Sequence, residues 1–348
     1  MGESAQPMEK EGCVSRQRTR IGVVIPYFQR DAGLLHRALS SVAAQDHRPR
    51  QVIVVDDGSP RPAAEEITPE LHDAVPALTV VRQANRGIAA ARNAALDALD
   101  ADVAAVALLD SDDYWEPSHL RHAAAALSLG ADFFFSNSRL EGAAGDYFQM
   151  RPLRQRELLG SGQAVPDAPG ILEWRAGMSA LGAACPFMTS TVVFRRAVMP
   201  ELRFPLEFRR AAEDLAAFWE LFTRSSVIMF CTEATHVIGS TGLGTWRNST
   251  FGTPAHLIRL ADELRWFRRL VGSPLLTPGD RQLMRGMIVG RRRDALASVL
   301  HMLRHRQNVA GELGYLLRRN PTCAASWCVD LPKLLFSKLS GQSFTWTN

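Results

Sequence analysis

Three uninterrupted apolar runs mark the first third of the chain: Ile21–Phe28 (IGVVIPYF), Gln51–Asp57 (QVIVVDD) and Val103–Asp110 (VAAVALLD). None alternates apolar with polar residues, as a half-exposed strand does. Each reads as a strand covered on both faces, the mark of a parallel sheet. Leu78–Gln83 and Asp132–Ser138 read as two more strands. Between them the period changes. Ala32–Gln45 collects Leu35, Ala38, Leu39 and Val42 on one face, Gly87–Asp100 is rich in helix-forming Ala, and Pro117–Gly130 opens on Pro and closes on Gly. Strand alternating with helix predicts an α/β doubly wound fold, whose ligands bind beyond the carboxyl ends of the strands.

The pattern weakens over residues 139–185, which read mostly as loop. It returns with a strand and short helix at Thr189–Met199, an amphipathic helix at Ala212–Arg224 and a strand at Ser226–Ile238. A Gly-rich loop, Gly239–Thr250, follows. Beyond it the chain reads as helical and basic: His256–Val271 has one apolar stripe, and Arg281–Gln307 carries seven Arg and one Asp. The organisation predicted is a flexible tail at 1–19, a catalytic α/β domain at 20–250 and a helical extension at 251–348.

Composition narrows the possibilities. Of 348 residues, 46% are hydrophobic and 22% charged, with a formal net charge of only +4, as in an ordinary globular protein. The five cysteines (Cys13, Cys185, Cys231, Cys323 and Cys328) form no CxxC pair, which argues against a zinc ribbon or a disulfide framework. The polar N-terminus lacks the apolar core of a signal peptide, and Gln6 stands where N-myristoylation wants Ser or Thr. No stretch approaches the roughly 18 apolar residues of a membrane span. No GxGxxG follows the first strand and no GxxxxGK[ST] occurs, so a bound nucleotide needs another phosphate cradle.

Three acidic clusters supply one. Asp56 and Asp57, in VVDDGS, end the second strand. They can accept hydrogen bonds from a nucleotide base or ribose, or merely build a turn. Asp110, Asp112 and Asp113, in LLDSDDYW, end the third buried run. Like charges so close are costly unless a hard divalent cation offsets them. Trp115 stands where an EF-hand loop needs Gly, and Tyr114 where an aspartyl-phosphate phosphatase wants Thr or Val. A solvated turn remains the plain alternative. Glu213 and Asp214 open a helix, where acids suit the macrodipole and where one carboxylate can equally be a general base. His236 ends an apolar strand, a place for a structural histidine or a further metal ligand.

In order and spacing, VVIPYFQR, LHRALSSVAAQ, VIVVDDGS, NRGIAAARNAAL, LLDSDDYWEP, TSTVVFRR and AED resemble the family 2 glycosyltransferases of GT-A fold, over roughly residues 20–240. The resemblance implies a Rossmann-like, mixed but mostly parallel sheet flanked by helices. It implies that Pro26, Asp56, Asp57, Arg86, Asp110 and Asp112 bind a nucleotide-sugar, with Asp57 at the uracil of a UDP-sugar. Asp112 becomes the Mg²⁺ or Mn²⁺ ligand, with His236 beside it, and Asp214 the catalytic base. Arg92 takes a structural role. The resemblance further implies inverting transfer of a single sugar to a lipid-linked or polysaccharide acceptor, in the cytoplasm or peripherally on the inner face of the cell membrane. The QxxRW motif of processive members is missing: Arg265–Trp266 lacks the upstream Gln. Arg281, Arg285, Arg291, Arg292 and Arg293 suit an anionic membrane surface, whereas nucleic-acid binding is disfavoured by a catalytic half that is not basic. A catalytically silent sugar-nucleotide-binding or scaffold protein of the same fold is the alternative. A nucleotidyltransferase fits poorly, because PYFQRDAG lacks the Gly-rich basic loop that class needs.

Overall fold

The computed structural model describes residues 19–150, 159–166, 168–175, 187–240 and 249–339. Nearly all of the expected tail, and the middle of the Gly-rich loop at 241–248, lie outside the described residues. The chain builds β1 (Ile21–Tyr27), α1 (Leu34–Ala43), β2 (Gln51–Asp56), α2 (Pro69–Ala74), β3 (Leu78–Arg82), α3 (Ile88–Asp97), β4 (Ala105–Leu108), β5 (Tyr114–Trp115) and α4 (His119–Ser128). It continues with β6 (Phe133–Leu140), β7 (Gly162–Ala164), β8 (Ile171–Trp174), β9 (Val193–Arg195), α5 (Glu213–Arg224) and β10 (Ile228–Ile238). Four helices follow: α6 (Pro254–Val271), α7 (Pro278–Arg304), α8 (Ala310–Arg319) and α9 (Thr322–Leu339).

One sheet joins the strands in the order β3-β2-β1-β4-β9-β6-β10-β8-β7, with β5 on β10. β1, β2, β3, β4, β6 and β10 run in one direction, and β9 is wedged antiparallel between β4 and β6. The continuous apolar runs split by parity, as a pleated strand requires. Val24, Ile53, Val55, Val106, Leu108, Phe133 and Phe135 face α3 and α5. Ile21, Val23, Ile25, Val52, Val54, Ala105, Ala107 and Phe134 face α1 and α4. Phe133 and Phe135 anchor an aromatic cluster with Phe187, Phe218, Phe222 and Trp174.

The structure amends three expectations. β3 is an edge strand and partly exposed, because among the described residues nothing pairs with its outer side. The region expected as loop contributes β7 and β8, which extend the sheet beyond β10. The expected boundary at 250/251 is where the helices begin, but it does not divide the core. Trp266, Phe267 and Leu270 of α6 and Met284 of α7 pack in the same cluster as Phe218 and Trp219 of α5, and Trp219 meets Trp266 edge-on at 6.3 Å. A separate small core joins α6, α7 and α8 through Leu257, Leu264, Val299 and Leu316.

The basic helix α7 also differs from a lipid-facing stripe. Arg291 pairs with Glu263 and Asp294, Arg293 pairs with Asp330, and Arg281 donates to the carbonyl of Ser273. Arg292 is half-buried, and Arg285 is exposed. Among the described residues, no helix is long and apolar enough to cross a membrane.

Candidate active site

The acidic clusters meet beyond the carboxyl ends of β2 and β4 and at the start of α5. At the end of β2 the two acids act differently. Asp56 is buried, and its oxygens accept from the backbone N–H groups of Ser59 (2.8 Å) and Ala63 (2.9 Å). Both Asp56 oxygens thus hold the turn after β2. Asp57 accepts from Gln83 Nε2 (2.7 Å) and from the N–H groups of Arg86 (2.8 Å) and Gly87 (2.8 Å), so it shapes the loop after β3. Gly58, with φ of 65°, lets that loop close, since a Cβ there would lie 2.9 Å from the Asn85 nitrogen. Arg86 reaches this corner through its backbone, with its side chain exposed. Pro26 lies one step back on β1, in register with Val55.

At the end of β4 the acids separate again. Asp110 accepts from Arg92 Nη2 at 2.8 Å, and Arg92 Nη1 reaches Glu213 at 3.1 Å. Arg92 is 2% exposed and is the only cation in this chain of contacts. Burial opposes its charge, but Asp110, Glu213 and Asp214 more than offset that, and its pKa rises. Burial likewise pushes Asp110 up despite Arg92, with Asp113 and Asp214 adding repulsion. Burial and the neighbouring Asp214 raise Glu213 to about 7, because one guanidinium cannot neutralise several carboxylates.

Asp113, which the sequence leaves without a role, is buried and central. Its carboxylate accepts from Ser190 Oγ (2.7 Å) and from the Gly239 N–H (3.1 Å), and His236 Nε2 lies 3.0 Å away. Burial works to raise its pKa, but His236, Ser190 and Gly239 outweigh that and hold it below the usual range. The other ring nitrogen of His236 meets Ser138 Oγ at 2.9 Å, and the imidazole is fully buried. Nδ1 is thus engaged by Ser138, while Nε2 faces the Asp113 carboxylate. Gly239 is required at its position, since a Cβ there would overlap the Asp112 carbonyl oxygen. Asp112 itself is half-buried, and its carbonyl accepts from Arg37 (3.1 Å). Glu141 accepts from Arg37 (2.9 Å) and from the Ser240 N–H (2.7 Å).

Asp214, at the start of α5, accepts from the Thr189 hydroxyl at 2.9 Å and from the Leu215 N–H at 2.7 Å. Thr189 and Ser190 are functional neighbours that sequence reading passed over. Their signal was the hydroxyl run TST just before β9. Asp110, Glu213 and Asp214 thus gather around Arg92, and Asp113 faces His236. Among the described residues one set of three metal-type side chains, His122, Cys231 and Glu233, brings a ligand atom from each within 4.8 Å of the others, between α4 and β10. There His122 Nδ1 lies 3.4 Å from Cys231 Sγ, and its Nε2 lies 3.5 Å from Glu233. Burial also pushes the Cys231 thiol up to about 11, away from the thiolate a metal needs.

The family model for "Glycosyl transferase family 2" matches residues 22–173. The chain is 32% identical over 240 residues to "Succinoglycan biosynthesis protein ExoW" of Rhizobium meliloti, covering 68% of this chain and 74% of that protein. Among solved structures it resembles S. aureus TarS 1-349 in complex with UDP-GlcNAc, with a TM-score of 0.56, 19% identity, and coverage of 78% of this chain and 72% of that one. It also resembles the mannosyltransferase PcManGT from Pyrobaculum calidifontis in complex with GDP-Man and Mn²⁺, with a TM-score of 0.55, 17% identity, and coverage of 94% and 85%. Both resemblances concern the fold, a GT-A arrangement of mixed sheet and flanking helices.

Proposed function

The chain belongs to glycosyltransferase family 2, and from that premise we propose that it is an inverting, metal-dependent transferase of surface-polysaccharide assembly. It moves one sugar from a UDP-sugar to a hydroxyl of a lipid-linked or polymeric saccharide. The relative's name in succinoglycan synthesis supports the pathway class, and the UDP-GlcNAc complex of TarS supports the donor class. The observation that carries the reading is the buried Arg92 bridge from Asp110 to Glu213, at 2.8 and 3.1 Å. It fixes the donor end of β4 against the start of α5, so Asp214 stands at the edge of the donor site.

Asp57 takes the uracil imide by exchanging the amide of Gln83, the one side-chain donor among its hydrogen-bond partners. Asp110 orients the ribose and sugar from its fixed contact with Arg92. Asp112 would hold Mg²⁺ or Mn²⁺, which when bound would supply countercharge for the departing diphosphate. Asp214 accepts the proton of the acceptor hydroxyl, whose oxygen bonds to C1 as the bond from C1 to the UDP oxygen breaks. Attack from the face opposite UDP inverts the anomeric centre, and no covalent enzyme intermediate forms. Thr189 and the Leu215 N–H, donating to one oxygen each, orient the carboxylate for that task.

The test is nucleotide release from UDP-, GDP- and dTDP-sugars with Mn²⁺. Metal-dependent UDP release from at least one UDP-sugar is expected. Binding of UDP without turnover of any donor would instead mark a silent sugar-nucleotide-binding protein.

A further inference from the structure

The helices that follow the α/β sheet reach the catalytic machinery at one buried carboxylate. Asp262, on α6, is fully buried. Its Oδ2 accepts from the backbone N–H groups of Arg209 (2.8 Å), Arg210 (2.7 Å) and, at longer range, Ala211 (3.4 Å). Three successive N–H groups converging on one oxygen form an anion-binding nest, here filled by the protein's own carboxylate. Its Oδ1 accepts from the Tyr315 hydroxyl of α8 at 2.6 Å. The guanidinium groups of Arg209 and Arg319 lie over the Tyr315 ring, and Asn320 donates to the Ala261 carbonyl beside Asp262.

The nest leads straight into the active site. The next residue, Ala212, is left-handed, with φ 71° and ψ 0°. Glu213 and Asp214 come immediately after it. A residue with a Cβ adopts that conformation only where its surroundings impose it, and such strain gathers at functional sites. Arg92 and Thr189 hold Glu213 and Asp214 from the sheet side. Asp262 holds the incoming chain from the other.

We propose that Asp262, braced by Tyr315, is a positioning residue for transfer: it fixes residues 209–212 and thereby the direction in which Asp214 leaves the start of α5. The proposal rests on reading Asp214 as the base. A base must lie within hydrogen-bond reach of the proton it takes, and a misplacement of about 1 Å can cost about 100-fold in rate. The residues read as nucleotide-binding, Asp57, Asp110 and Asp112, follow β2 and β4, so loss of the anchor acts on turnover and spares donor binding.

The experiment uses the full chain and the UDP-sugar that gives the fastest UDP release with Mn²⁺. Titration with UDP and Mn²⁺ counts the binding-competent sites. Asp262→Ala is expected to lower kcat per competent site by about 10- to 100-fold, with KM for the UDP-sugar within about threefold. Asp262→Asn restores most of that loss, because its amide oxygen still accepts from the nest while its NH₂ group donates to Tyr315. Tyr315→Phe lowers kcat in the same direction by less. Wild-type kcat per site in Asp262→Ala, beside an inactive Asp214→Asn control, overturns the anchor and leaves the base standing. A fall in turnover matched by a fall in competent sites also overturns it, because that marks mere structural support. If Asp262→Ala does not fold, an unchanged kcat in Tyr315→Phe overturns the proposal. An active Asp214→Asn removes the base reading and this proposal with it.

Discussion

At the scale of single residues, the acids divide by what they touch. Asp112→Ala is expected to weaken UDP binding in Mn²⁺ by about tenfold or more and to abolish its metal dependence, as isothermal titration with and without Mn²⁺ would show. Binding that stays equally metal-dependent would move the cation elsewhere. Glu141 offers a pH test. Its contacts with Ser240, opposed slightly by burial and helped by Arg37, lower it to about 2. A depressed carboxylate stabilises the fold above its unfolded range near 4.5 and loses that contribution as pH falls toward 2. Glu141→Gln should therefore lower stability by roughly 1 kcal/mol at pH 7, discounted for partial exposure. The difference in melting temperature should shrink from about pH 4.5 downward; a constant gap would rule out the charged contact. Asp110, Asp112 and Asp214 were legible as candidates because acids stood at predicted element ends. The turn contacts of Asp56 and the pairing of His236 with Asp113 were not legible, because pairings that remote in sequence leave no local pattern.

At the scale of elements, the sheet was legible because its runs are long and wholly apolar, a pattern only a doubly covered strand sustains. Phe133→Ala should cost about 3–5 kcal/mol in chemical denaturation, since it removes the ring on which Phe187, Phe218 and Phe222 converge. A cost below about 1 kcal/mol would show that the cluster closes over the gap. β7 and β8 escaped notice because they are short and flanked by Gly and Pro, with no period to read. The starts of α6 and α7 were placed late, and α2 was passed over, for a plainer reason. α2, α6 and α7 each open with Thr-Pro, at Thr68, Thr253 and Thr277, where the Thr hydroxyl accepts the amide of the third helical residue. That cap was visible in the letters.

At the scale of the whole molecule, the C-terminal helices close the catalytic core instead of hanging from it. Their arginines looked like a membrane face in one dimension. In three, Arg281, Arg291 and Arg293 are taken up by Glu263, Asp294, Asp330 and a carbonyl, because charge runs do not reveal their partners. A shared core predicts one cooperative unfolding transition by calorimetry, with no separate melt for the helices. The central claim is that this fold brings a donor-binding acid and a base together to transfer sugar. It is tested most directly by UDP release from UDP-sugars with Mn²⁺, comparing wild type with Asp214→Asn alongside UDP titration. The account predicts metal-dependent release by the wild type, a loss of about 10³-fold in Asp214→Asn, and UDP affinity within about threefold. Retained turnover in Asp214→Asn with weakened UDP binding would contradict it.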